Sequence, residues 1–190
     1  MILTVLIGDE QFYGESEGDA EQLITRVLEG LEFGDSAWLS IDDQRREEGS
    51  YASNTLKISM NPSTGYGGVI WQAGTNYPKQ GGIYSYTWIS DNPNPPEVDP
   101  RILSDPHHPV FMEPASALPL SELRKVLEEF YRTGTGDRPT CIKWVRGHMN
   151  GEREVLGPGV EPAPLSTTDW DSLAGELMNL SSDEGENRSG

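Results

Sequence analysis

The sequence predicts an α+β domain: a mainly antiparallel, twisted sheet with two principal helices packed on one face. Three observations carry that expectation. Apolar residues recur at helical spacing through Leu120, Leu123, Leu127 and Phe130, with Val126 and Tyr131 widening the stripe. A second stripe of that period runs through Leu23, Ile24, Val27, Leu28 and Leu31. Between and before them lie short apolar or alternating runs, separated by glycine, proline and asparagine turns, as strands of a meander are.

Taken in order, Ile2 to Ile7 is apolar on both faces and reads as a central strand. Gly8 to Gly18 reads as an acidic loop, and Asp19, with Gln22 three residues on, as the capping box of the first helix, Asp19–Leu31. Gly30 and Gly34 loosen and end that helix. Ala37 to Asp42 is a strand, followed by a turn of mixed charge from Asp42 to Gly49. Leu56, Ile58 and Met60 alternate with Thr55, Lys57 and Ser59, a half-buried antiparallel strand. Tyr66 to Gln72 and Ile83 to Ser90 continue the meander.

Asp91 to Pro109 carries six prolines, Pro93, Pro95, Pro96, Pro100, Pro106 and Pro109, and is expected to be a long loop without regular structure. Val110 to Met112 has room to pair briefly. In the second helix, Leu120–Thr133, Pro119 suits the first turn. Arg132 faces the negative end of the dipole, four residues after Glu128. Gly134 then supplies the left-handed stop, and Pro139 prevents the helix from resuming. Cys141, Ile142, Trp144 and Val145 read as a buried strand.

Residues 1–150 are expected to form the domain. After Gly151 the composition shifts to a linker with Gly157-Pro158-Gly159 and Pro162-Ala163-Pro164. A short helix capped by Thr167 or Thr168 follows, carrying Trp170, Leu173, Leu177 and Leu180. The polar acidic end from Ser181 to Gly190 is expected to be disordered.

The pattern from Glu113 to Val145 resembles the signature of the immunity-protein-one family, the α+β immunity proteins of bacterial polymorphic toxin systems. The matching positions are Pro119 before the helix, Phe130 within it, Thr133-Gly134 at its end, Arg138-Pro139, and Trp144 in the following strand. The resemblance extends over roughly the first three quarters of the chain. Two departures are visible: the segment Thr133 to Pro139 is longer than a tight turn, and a tail follows Gly151. The resemblance implies a protein that binds and neutralises a toxin made in the same cell. It also implies that the toxin is of the deaminase class, acting on nucleic-acid bases.

Composition bounds the chemistry. The 190 residues carry a net charge of −17. Such a chain is repelled by nucleic-acid phosphates and anionic lipid, and attracts basic partners; solubility alone would also explain the acidity. Cys141 is the single cysteine, so no intramolecular disulfide forms and a reducing cytoplasm fits. Ile2 to Ile7 is too short, and lacks the basic flank, for a signal sequence, and no run is long enough to span a bilayer.

Catalytic signatures are missing from the sequence. The zinc deaminases need His-x-Glu and Pro-Cys-x-x-Cys elements, and neither occurs. His107 and His108 are neighbours whose side chains diverge, His148 lies far along the chain, and a solvated pair is the plainer reading than a metal site. The glycine-rich stretches Ser63–Gly68 and Thr133–Gly136 lack the Gly-Lys-Ser/Thr ending of a phosphate loop and read as turns. Tyr84, Tyr86 and Trp88 share one face of their expected strand, where they serve either as binding anchors or, as preferred here, as core.

The function expected is therefore a non-enzymatic immunity protein without cofactor or metal, binding a basic cognate toxin and neither nucleic acid nor membrane. The rivals are an acidic nucleic-acid mimic directed at another basic protein, a small paired-carboxylate hydrolase, and a scaffold. Motif positions do not specify an interface, so the expected contacts are the exposed acidic loops. These are Asp9, Glu10, Glu15 and Glu17; Asp42, Asp43, Glu47 and Glu48; and Asp91 and Asp105.

Overall fold

The computed structural model describes residues 1–45 and 51–154. Glu47, Glu48 and the expected C-terminal linker, helix and tail from residue 155 onward lie outside the described residues. The elements are β1 (Ile2–Ile7), β2 (Glu10–Gly14), α1 (Glu17–Gly30), β3 (Ser36–Asp42), β4 (Asn54–Asn61), β5 (Tyr66–Ala73), β6 (Thr87–Asp91), β7 (Leu103–Asp105), β8 (Val110–Phe111), β9 (Leu118–Pro119), α2 (Leu120–Thr133) and β10 (Lys143–Gly147). Eight strands form one sheet in the order β10-β6-β5-β4-β3-β1-β2, with β9 added beside β5, while β7 and β8 make a separate hairpin. Every pairing is antiparallel. The α+β class and the two helices are as the sequence predicts.

Alternation along each strand sorts the side chains onto two faces. One carries Leu3, Val5, Leu39, Ile41, Leu56, Ile58, Val69 and Trp71, which pack with Ala20, Ile24 and Val27 of α1 and Leu123, Val126, Leu127 and Phe130 of α2. All of these are buried, each large aliphatic side chain contributing about 1.5–3 kcal/mol. Both helices therefore lie on this face. Ion pairs such as Arg124–Glu21, at 3.0 Å between the two helices, add little beside that burial.

The opposite face is covered at its β4–β5–β6 part by the segment between β6 and α2. Ile70 and Ile89 meet Ile102, Met112 and Ala117 there, with Tyr66, Val145 and Met149 around them. Gly68 makes the contact possible, because a Cβ at that position would occupy the space of the Met112 sulfur. Asn61 pins the crossing chain by donating to the Pro100 carbonyl at 2.8 Å.

Several expectations are corrected. The run from Gly8 to Gly18 is not a loop: Gly8 turns the chain at φ 57° and β2 pairs with β1 from Glu10 to Gly14. β1 consequently lies one strand in from the edge rather than at the centre. The cap of α1 is Ser16, whose hydroxyl accepts from the Asp19 N–H, and Asp19 closes the box from the third helical position. The proline-rich loop contains β7, which pairs with β8. β4 is buried on both faces, since the crossing segment covers the polar one.

The expected strand Ile83–Ser90 is broken. Gly81 and Gly82 take φ 78° and 54°, residues Gly82–Ser85 form a 3-10 turn, and Tyr84 is not on the strand that holds Trp88. β10 begins at Lys143, leaving Cys141 exposed before it, and forms the sheet edge rather than a buried strand. Its outer side is partly occupied, as Gly147 bridges Arg153 and the Glu154 N–H donates to the Arg146 carbonyl at 2.9 Å.

Candidate functional site

The turn of β1 into β2 at Gly8, the connection from α1 to β3, and the turn after β7 meet at one end of the sheet. Together with Met149 and Asn150 they enclose an open cleft of about 570 Å³ lined also by Gly34, Asp35, Ser36, Trp38, Lys57 and Asp105. Each strand places its side chain there by alternation. Ala37 and Leu39 point to the helices, so Ser36 and Trp38 point away, and Trp38 stands directly across from Lys57 of β4.

Lys57 forms the floor. It is only 5% exposed. Its ammonium donates to the Ser104 carbonyl at 2.6 Å and the Met149 carbonyl at 3.3 Å, and lies 5.1 Å from the centre of the Trp38 ring. Burial pushes its pKa down, opposed by the Asp105 charge. Asp105 accepts backbone N–H groups from His107 at 3.0 Å and His108 at 3.3 Å. The His108 N–H, the His107 N–H and the neighbouring Lys57 charge outweigh partial desolvation and hold its carboxyl below the ordinary range. Asp105 is therefore a fixed anion at neutral pH.

The ten expected contact residues divide. Asp105 lines this cleft, while Asp9 follows the lining Gly8 in the β1–β2 turn without lining it. Glu10 faces Arg26 of α1 at 3.7 Å, and that guanidinium lies over Phe12. Glu15, Glu17, Asp42 and Asp43 gather at the other end of the same strands, because Ile2 pairs with Asp42 and Leu3 with Gly14. A six-residue strand separates the two groups by about 20 Å. There Glu15 pairs with Arg45 at 2.7 Å, and Asp42 accepts the Thr4 and Ser40 hydroxyls at 3.1 and 2.8 Å. Asp91 is at the far side, paired with Arg153. Glu47 and Glu48 are outside the described residues.

Asp35 and Trp38 line the cleft and were not among the expected contacts. Asp35 stands in a five-residue connection that the sequence marks only by the Gly34 stop, and Trp38 alternates like any strand residue. Among the described residues no group of three or more His, Cys, Asp or Glu is placed to hold an ion. Likewise no helix among the described residues is long and apolar enough to cross a membrane.

The positions that carry the family signature form one unit. Phe130 is fully buried, Gly134 ends α2 at φ 65°, and the Trp144 indole N–H donates to the Pro139 carbonyl at 2.7 Å. Arg138 lies over the Trp88 ring at 4.0 Å, with Trp144 at 5.9 Å. The long turn is held by Trp71, whose indole donates to the Gly136 carbonyl at 3.0 Å. It is held again by Asp137, which accepts from Tyr77, Tyr84 and Lys79.

Charge and shape, carried on loops that a doubly covered sheet holds in place, are the equipment of an α+β binding domain. Residues 9–146 match the model of the Imm1 family, described as Immunity protein Imm1, and the chain belongs to that family. Its members are immunity proteins associated with polymorphic toxin systems, pair with a cognate toxin and are typically non-catalytic. Comparison with curated proteins and with solved structures found no significant match.

Proposed function

We propose that this immunity protein neutralises one cognate toxin, a nucleic-acid base deaminase encoded beside it, by seating its carboxylate-bearing loops in the toxin's substrate groove. A deaminase that handles single-stranded nucleic acid presents a basic groove to the phosphates. The −17 chain is attracted to such a groove and repelled by the nucleic acid itself. Occlusion needs no catalytic group in the inhibitor.

The observation that carries this reading is the grouping of exposed carboxylates at both ends of β1–β3, in a chain of the Imm1 family. Asp9, Glu10, Glu15, Glu17, Asp42, Asp43, Glu47, Glu48, Asp91 and Asp105 are the proposed steering charges, those not held in internal ion pairs contributing most. Steering acts on association: raising salt lowers k_on far more than it raises k_off.

The test is to purify the toxin domain of the adjoining reading frame, assay base deamination with and without excess of this protein, and follow binding at several salt concentrations. A toxin that stays fully active overturns the proposal. Inhibition with a salt-independent k_on would reduce the acidity to a solubility device.

A further inference from the structure

Trp38 separates two hollows of opposite character on the sheet face away from the helices. On one side is the 570 Å³ cleft with Asp35 and Asp105 at its rim. On the other is a hollow of about 330 Å³ lined by Leu6, Trp38, Ser40, Tyr51, Ala52 and Thr55. Tyr51 is 91% exposed, and Trp38 and Leu6 are half-buried. A half-exposed tryptophan between a charged and an apolar depression has the composition of an interface anchor, which is enriched in Trp and Tyr and ringed by contacts that exclude water.

Resting on the function proposed above, we infer that Trp38 anchors the toxin, and that its two hollows receive a basic and an apolar side chain from one extended segment of that partner. The sign of charge in the cleft decides the first. Lys57 is below, but its ammonium is engaged by the Ser104 and Met149 carbonyls. The groups presented to an incoming side chain are the carboxylates of Asp35 and Asp105. A planar guanidinium lies well against an indole and between carboxylates. The apolar residue meets Leu6, Tyr51 and the other side of Trp38. Alternate side chains of an extended strand are spaced about 7 Å apart on one face, a distance that spans a single tryptophan.

The experiment measures association and dissociation of the toxin domain from the adjoining reading frame with full-length wild-type protein. It compares W38A, W38F, the double variant D35N/D105N and, as a control on the exposed side of α1, E29Q. W38A raises Kd about thirtyfold or more, mainly through k_off. W38F retains most of the affinity. D35N/D105N weakens binding with a lower k_on, and E29Q changes Kd less than threefold.

Thermal unfolding checks each fold. If W38A is not folded, W38F and the carboxylate pair decide, since Asn at 105 still accepts the turn N–H groups. Wild-type binding with W38A and D35N/D105N within threefold of it overturns this inference and leaves the proposed function standing. Tighter binding by D35N/D105N means that an anion enters toward Lys57, and overturns it too. No binding by the wild type overturns both.

Discussion

The Lys57 ammonium reaches across the sheet face that the helices leave open and hydrogen-bonds the Ser104 carbonyl at 2.6 Å. With the Met149 carbonyl at 3.3 Å, it ties β4 to β7 and to the chain after β10. Lys57→Ala removes the donor from two carbonyls and leaves a gap, and is expected to cost about 2–4 kcal/mol. Lys57→Met keeps the volume and should cost less than half as much. Urea denaturation of both measures it, and a loss below about 0.5 kcal/mol for the alanine variant would show that the strut is not structural. Burial lowers the Lys57 pKa in the folded state. Between that lowered value and the unfolded one near 10.4, the unfolded chain binds the extra proton, so wild-type stability rises with pH relative to Lys57→Met.

Leu127 and Phe130 face the sheet from α2 and are 1% and 0% exposed. Leu127→Ala should destabilise by about 2–5 kcal/mol and Phe130→Ala by about 3–5. Trp144 is only half-buried at the sheet edge, so Trp144→Ala should cost about half as much as Phe130→Ala. Chemical denaturation gives the order. A larger loss for Trp144 than for Phe130 would place the packing centre at β10 instead of α2.

Where sequence and structure agree, the signal is local. α2 runs from Leu120 to Thr133 as read, because its stripe, the preceding proline and the left-handed Gly134 all act within one helix. β2 escapes notice because it is an edge strand: only Phe12, Tyr13 and Gly14 are sheltered, within an acidic run that reads as loop. Lys57 misleads in the same way. A lysine alternating with apolar residues marks a solvent face, and the acceptor that buries it comes 47 residues later. The cleft is less legible still. Gly8, Asp35 and Asp105 belong to three separate turns, and only the antiparallel register of β1 and β3 and the return of β7 over β4 bring them together. Exposure of a loop can be read from composition, but which loops share an end of the sheet depends on strand order.

Cys141 is exposed as a residue, yet its thiol is turned toward Glu129. That carboxylate accepts the Thr140 and Cys141 backbone N–H groups at 2.7 and 2.8 Å. Burial of the thiol, then its hydrogen bond to and repulsion from Glu129, push its pKa up to about 12. At pH 8 the thiolate fraction is therefore smaller than that of a free cysteine by a factor on the order of a thousand. Alkylation by iodoacetamide should be slower by a comparable factor. Glu129→Gln removes the charge and should accelerate it at least tenfold. Wild-type alkylation at the rate of a free thiol would contradict the contact.

Asp137 joins the turn after α2 to the loop before β6. Its carboxylate accepts from the Lys79 ammonium at 2.5 Å, the Tyr77 hydroxyl at 2.8 Å and the Tyr84 hydroxyl at 3.0 Å. Partial burial works to raise its pKa, but the hydrogen bonds from Lys79, Thr135, Tyr77 and Tyr84 outweigh it and hold the carboxyl below the ordinary range. The unfolded chain therefore takes up the Asp137 proton first as pH falls. The stabilisation is complete above the unfolded pKa near 3.9 and is lost as pH drops through the lower folded value. Asp137→Asn keeps the shape and removes the charge, and should cost about 1–3 kcal/mol at pH 7. Asp19, Asp105 and Glu129 are also held low, so the wild type loses stability in acid for several reasons at once. The difference between wild type and Asp137→Asn isolates this one. It should be constant between pH 7 and 5 and shrink below pH 4 in urea denaturation. A difference that persists unchanged to pH 2 would mean that the asparagine acts through altered packing of the turn and not through the lost charge.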